Sequence, residues 1–321
     1  MRLPRLALLA ARGAQYFLSL AAVLACAGAA PLLPPMPSLP GIEPPTRALL
    51  NAGQSNPSAQ LCLLDGDPFF MGYQQGVQWR EEIRALIVRA GQLCAGRGPA
   101  DSQLCQERAL ALERSLPPDL REETRGVARG AGVGDLDILR LNVVSDELFQ
   151  PLSQSNSVIL SAWGQATAGA EVLLAGLFHP APSSSDAAFV WVARRPSSRP
   201  GTLLWSLPGC LGGLAGVNDQ GVSALAAPAV TADRAQGGLP ASLVLRLALE
   251  RGADVDECLA EVMRQRHAGG AQIVLASQER GARGVEYTAH MQRAMQPRLD
   301  TLISVGLYLD PTLNETQVDS L

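Results

Sequence analysis

Lysine is absent from all 321 residues, so each of the 26 basic side chains is an arginine. That excludes Schiff-base and pyridoxal chemistry, which need a lysine amine, and a Walker-A loop, whose lysine sits on the phosphates. Histidine is scarce: His179, His267 and His290 are all that the chain offers for proton transfer or metal ligation. Aromatic residues make up 4% and acids outnumber bases 30 to 26, which argues against a stacking platform or a basic groove for nucleic acid. The sequence also lacks Gly-x-Ser-x-Gly, His-Glu-x-x-His, Cys-x-x-Cys and any zinc-like Cys/His spacing. The common serine-hydrolase, zinc-protease and thioredoxin signatures therefore give nothing, and no metal or organic cofactor is expected. Gly130-Ala131-Gly132-Val133-Gly134 lacks the last glycine of a dinucleotide loop and follows a helical pattern, so it reads as a helix stop.

What is present suits a buried core: 47% hydrophobic and 17% charged residues, in a length that fits one large domain or two small ones. Arg2, Arg5 and Arg12 precede an apolar run from Tyr16 to Ala30, and the first acid is Glu43. This is the pattern of a signal peptide over residues 1–29, and the run is shorter than the roughly 20 residues of a spanning helix. Export is expected, to the periplasm, cell envelope or exterior. Ala27-Gly28-Ala29 offers small residues for cleavage, whereas Val23-Leu24-Ala25-Cys26 resembles a lipoprotein signal. Cys26 is thus a lipidation candidate and the one expected membrane contact. Loss of three arginines and no acid takes the formal charge from −4 to −7, a surface that does not attract nucleic acid or anionic lipid. Residues 30–45, with PLLPPMPSLPGIEPP, read as an extended tether, leaving 46–321 as one domain.

Cys94 and Cys105 flank the loop AGRGPADSQL and are the expected disulfide, while Cys258 in DVDECLAEVM reads as buried. Helical spacing covers Pro68–Ala90, Leu104–Ser115, Asp119–Ala131 and Asp135–Phe149. From Ser157 the pattern changes to short apolar runs between Gly, Ser and Pro, which predict strands up to Ala226, with Asn218-Asp219-Gln220-Gly221 as a hairpin turn. Helices over Ser242–Arg251 and Val255–Gln265 and three further strands complete an α+β chain.

Five segments, in order, carry a resemblance to a known family: GDPFFMGYQQGVQWREEIR, LPPDLREETRGVARGAGVGDLDILRLN, SVILSAWGQATAGAEVLLAG, LPGCLGGLAGVNDQGVSALAAP and LPASLVLRLALERGADVDECLAEV. Over roughly Leu61 to Pro311 the chain resembles the acyl-coenzyme A:isopenicillin N acyltransferase family of N-terminal-nucleophile hydrolases, related to acid ceramidase and bile-salt hydrolases. The resemblance implies an αββα sandwich of antiparallel sheets flanked by helices. It implies acyl transfer or hydrolysis at a carbon–nitrogen amide bond of a small acylated substrate. It further implies a precursor that cuts itself before its nucleophile. Counting back from Trp163-Gly164 puts Ser157 at that place, with the cut between Asn156 and Ser157. A freed α-amino group, of unperturbed pKa roughly 8, could serve the serine as base without histidine or lysine. Asn218 falls where the family places an oxyanion donor; as a plain residue it is a hairpin-turn asparagine.

Besides a serine at 157 where the family's nucleophile is usually cysteine, the chain departs from the family at two places. Gly176-Leu177-Phe178-His179-Pro180 stands where Gly-Arg-Asn-x-Asp is usual, and Gly306-Leu307 where Thr-Asn-His is usual. These losses keep a second reading open, a catalytically inactive member that serves as an envelope binding protein. A Ser-His-Asp hydrolase using His179 or His290 has no motif behind it.

Overall fold

The structure, a computed structural model, describes residues 60–96, 99–149, 157–169, 171–178 and 189–318. The expected signal segment and tether, Cys26, Asn156 and His179 lie outside them. Strand β1 (Gln60–Gly66) leads into six helices: α1 (Pro68–Gln78), α2 (Arg80–Ala95), α3 (Pro99–Ser115), α4 (Pro118–Ala131), α5 (Asp135–Val143) and α6 (Ser145–Phe149). Asp67 caps α1, its carboxylate accepting from Phe70 N at 2.8 Å, with Pro68 in the first turn. The single helix expected over Pro68–Ala90 is two. The chain leaves helical geometry at Trp79 (φ −121, ψ 39), whose indole, 1% exposed, is drawn into the core. Gly132, in the left-handed conformation, ends α4, as the glycine run predicts.

Helices α1 and α4 meet through glycine. A Cβ on Gly72 would lie 2.1 Å from the Glu123 carbonyl oxygen, and one on Gly126 only 2.0 Å from that of Phe69. Gly76 and Gly130 follow one turn later on the same faces, so the two backbones touch where any side chain would hold them apart. Cys94 of α2 and Cys105 of α3 are joined in a disulfide.

The remaining strands are β2 (Val158–Ala162), β3 (Leu173–Leu177), β4 (Val190–Pro196), β5 (Thr202–Ser206), β6 (Ala215–Asn218), β7 (Ser223–Ala229), β8 (Gly270–Ser277), β9 (Gly281–Tyr287), β10 (Gln292–Ala294) and β11 (Thr301–Ser304). Helices α7 (Ala241–Arg251) and α8 (Val255–Arg264) separate β7 from β8, and α9 (Pro311–Asn314) follows β11. Eight strands form one sheet in the order β1-β4-β5-β6-β7-β8-β9-β10, antiparallel except for the β1–β4 pair. A second, antiparallel sheet has the order β11-β2-β3. The strand expected from Leu211 starts at Ala215, because Gly212 and Gly213 are pressed against the backbone of Ser242 and Trp205. Strands β1 and β10 were not expected: β1 is a short run beside a helix signal, and β10 is a polar edge strand of three residues.

Strand alternation divides the large sheet's side chains between two cores. Val192, Leu204, Ala224, Ile273 and Leu275 face the helices. Ala215, Leu225, Val274, Ala276 and Ala282 face the small sheet and meet Ile159, Leu174 and Leu302. The fold is therefore an α+β sandwich, with layers in the order helices, large sheet, small sheet. No described helix covers the far side of the small sheet, where the family resemblance implies a further helical layer.

On the helical side an ionic cluster ties the layers together. Glu123 of α4 receives a guanidinium nitrogen of Arg194 from β4, and two from Arg246 of α7 at 2.5 and 3.1 Å. Arg246 also donates to Glu250 at 2.6 Å and to the Leu211 carbonyl at 2.7 Å. All four charged residues are buried. Burial opposes ionisation of Glu123, but Arg194 and Arg246 outweigh it and hold the carboxyl below the usual range. Arginine suits this geometry, because its fork of donors serves carboxylates and a carbonyl together. Glu123→Gln leaves two guanidinium groups facing an amide, and should cost about 3–5 kcal/mol in urea unfolding.

His267 is buried against Tyr287, ring centroids 3.7 Å apart, and neither ring nitrogen has a partner among the described residues. Burial lowers its pKa from 6.5 to about 4. Between those values the unfolded imidazole binds a proton that the folded one refuses, so unfolding gains as pH falls. The contribution is whole above pH 6.5 and lost as pH drops through about 4. Wild type should lose up to ~3 kcal/mol more than His267→Phe across that window, measured by unfolding at stepped pH.

Candidate active site

Strand β2 alternates exposed Val158 and Leu160 with buried Ile159 and Ser161, so its inward row faces the large sheet. Ser157, immediately before β2, has the parity of that row and is itself buried. The Ser161 hydroxyl, further along, donates to the Leu173 carbonyl at 2.9 Å. Ser157 thus stands at the head of the strand, with its side chain directed between the sheets.

The registers show what lies at that end. Val158 pairs with Leu177, so Phe178 is the next cross-strand neighbour of Ser157; Ile159 pairs with Ser304, which carries the other flank toward Gly306. Phe178 packs on Trp205 with centroids 5.9 Å apart. An aromatic ring therefore occupies the inward position within the stretch where the family has arginine, asparagine and aspartate. Leu177 points outward, exposed.

Polar groups missed by the sequence reading gather beneath Ser304. Its hydroxyl donates to Gln272 Oε1, and Gln272 Nε2 donates to Glu286 Oε1 at 2.7 Å and to the Leu307 carbonyl at 2.6 Å. Glu286 also accepts the backbone N–H groups of Leu309 and Asp310 at 2.8 and 2.9 Å. Gln272 and Glu286 pair across β8 and β9, both buried, on the small-sheet side. A glutamine within AQIVLAS and a glutamate within GVEY, each in an otherwise apolar strand, were the available signal. Beyond β9, Thr288 Oγ1 donates to Asp233 Oδ2 at 2.5 Å, and His290 Nδ1 lies 2.5 Å from Asp233 Oδ1. Partial burial raises the Asp233 carboxyl, but these hydrogen bonds more than offset it and leave it below the usual range. His290 thus has an acid partner 57 residues away, invisible to local pattern, while its own ring stays exposed.

Asn218 requires a correction. Its side chain is on the helical side of the large sheet, with Nδ2 donating to the carbonyls of Leu249 and Gly252, both at 3.0 Å. Its Oδ1 accepts from Gln220 N and Val222 N at 3.2 and 2.9 Å. Ser157 faces the other side of that sheet. Both amide hydrogens are committed to the end of α7, so Asn218 braces a helix terminus and the hairpin turn, and no N–H remains for an oxyanion.

A cavity of about 220 Å³ lies where β7 and β8 end at Ala229 and Gly270; the Cys94–Cys105 disulfide, Asp146 and Arg234 also line it. Asp146 accepts the first N–H groups of α7, from Ala241 at 2.8 Å and Ser242 at 3.2 Å. Burial nonetheless raises its pKa. Among the described residues no group of three or more His, Cys, Asp and Glu could hold a metal ion.

No family model matches the chain. No curated protein matches it either. Among solved structures it is similar to a variant of conjugated bile acid hydrolase from Clostridium perfringens, at 9% identity and a TM-score of 0.24. The match covers 48% of this chain and 47% of that one, so the chain spans about half the length of the structure it matches.

Asn218→Ala should lower stability by about 2–3 kcal/mol, since two carbonyls and two N–H groups lose their partner. Thermal unfolding beside Asp219→Ala, on the exposed side of the same turn, provides the check.

Proposed function

We propose that this chain is an exported amidohydrolase or acyltransferase of the N-terminal-nucleophile type, acting on a carbon–nitrogen amide bond of a small acylated substrate. The observation that carries this reading is Ser157 at the head of an inner strand, directed between two stacked sheets. Hydrolysis of the Asn156–Ser157 peptide bond would consume one water and leave hydroxyl and α-amino group on one residue. The amine takes the hydroxyl proton as Oγ attacks the substrate carbonyl, then returns it to the departing nitrogen. The acyl group, now an ester on Ser157, passes to water or to an acceptor amine. The scarcity of histidine and the lack of lysine are no obstacle, because the base is made by the cut itself. Export rests on the arginine-then-apolar start, and Cys26 would carry a lipid if the signal is of the lipoprotein kind.

A second reading, an inactive envelope binding protein, is favoured by two observations. Phe178 is the inward cross-strand neighbour of Ser157, and the Asn218 amide is spent on α7. The two readings part at intact mass. Wild type purified with its own signal should yield two fragments meeting at Asn156/Ser157, and Ser157→Ala a single chain. One uncut chain in both, without turnover on acyl amides, would move the assignment to the binding protein.

A further inference from the structure

Helix α3 presents Asp101, Leu104, Cys105, Arg108 and Leu112, which helical spacing sets on one face, to the cavity beside Asp146. At the ~30 Å³ that a molecule occupies in liquid water, its volume of about 220 Å³ holds about seven waters, room for a small organic molecule and less than a drug-sized one takes. Leu93, Leu104, Leu112 and Val143 form an apolar wall with the Cys94–Cys105 disulfide, which ties α2 to α3 and so fixes that side. The lining charges are of both signs, Asp101, Asp146 and Glu147 against Arg108 and Arg234.

Two of these charges are incompletely met. Arg108 is half-buried and has no hydrogen-bond or ion-pair partner among the described residues. Arg234, by contrast, reaches Glu147 at 3.8 Å and donates from Nε to the Thr231 carbonyl at 3.2 Å. Asp146 takes the N–H groups of Ala241 and Ser242, out of the about four hydrogen bonds that a carboxylate can accept. Burial still holds its pKa up, the mark of a carboxylate short of positive charge. A lone anion would answer Arg108 but face three acidic residues, and a lone cation would answer Asp146 but face two guanidinium groups. A ligand with both charges serves both.

We propose that this cavity binds a small aliphatic zwitterion, a free amino acid, with its carboxylate on the Arg108 guanidinium, its ammonium toward Asp146 and Glu147, and its hydrocarbon along Leu104, Leu112 and Val143. The site lies on the helical side of the large sheet, away from Ser157, and requires no cut before that serine.

The test is titration calorimetry of the full chain at neutral pH with L-leucine and δ-aminovalerate, against isocaproate and isoamylamine, which keep one charge of leucine each. At least one zwitterion should bind tenfold or more tighter than either singly charged analogue. Arg108→Met removes a side chain with no partner to lose, so it should keep the thermal midpoint and weaken that zwitterion at least tenfold. Arg108→Lys, which keeps the charge without the fork of donors, should fall between the two and serves alone if the first variant loses stability. Zwitterions that bind no better than isocaproate or isoamylamine overturn the proposal. Binding indifferent to both substitutions of Arg108 overturns it equally.

Discussion

An eight-stranded sheet with apolar side chains in both of its alternating rows cannot leave either face in water, so the helices and the small sheet must each cover one. The helical side is closed tightly, glycine against backbone between α1 and α4, with the Glu123 cluster fastening α4, β4 and α7 at one point. The other side is closed, among the described residues, by the three strands of the small sheet. Strand parity commits most side chains to one compartment or the other, and Trp205, stacked on Phe189 and packed by Phe178, touches both cores.

That partition decides which residues can cooperate. Ser157, Gln272, Glu286 and Ser304 share the space between the sheets, while Asn218 and the cavity lined by Asp146 lie with the helices. Asn218 was placed with Ser157 by the family resemblance, and a matched stretch of sequence carries no record of sheet face; one step of register would have reversed the assignment. Phe178 shows the same rule from the opposite direction: its parity makes a family departure into a packed ring beside the serine.

Much of the architecture was legible beforehand. Helix periodicity located α4 and α7, the Asn218–Gly221 turn joined β6 to β7, and the α+β class followed from the order of elements. The break at Trp79 was not legible, because it comes from burial of one large ring rather than from a breaker residue. Nor was the Asp233–His290 pair, which depends on a loop and a strand end meeting across 57 residues. The polar network under Ser304 left only faint traces, single polar letters inside apolar strands, whose meaning depends on which sheet lies opposite.

The three buried thiols of Cys62, Cys210 and Cys258 bear on the order of events as the chain matures. Burial pushes Cys62 and Cys258 up to about 12 and Cys210 higher still, so at neutral pH only about one thiol in 10⁵ is the reactive thiolate. Once folded, these positions take no part in exchange with the Cys94–Cys105 bond. Mispairing is confined to the interval before collapse, and in an oxidising compartment the yield of native chain is set by a race between packing the core and oxidising it.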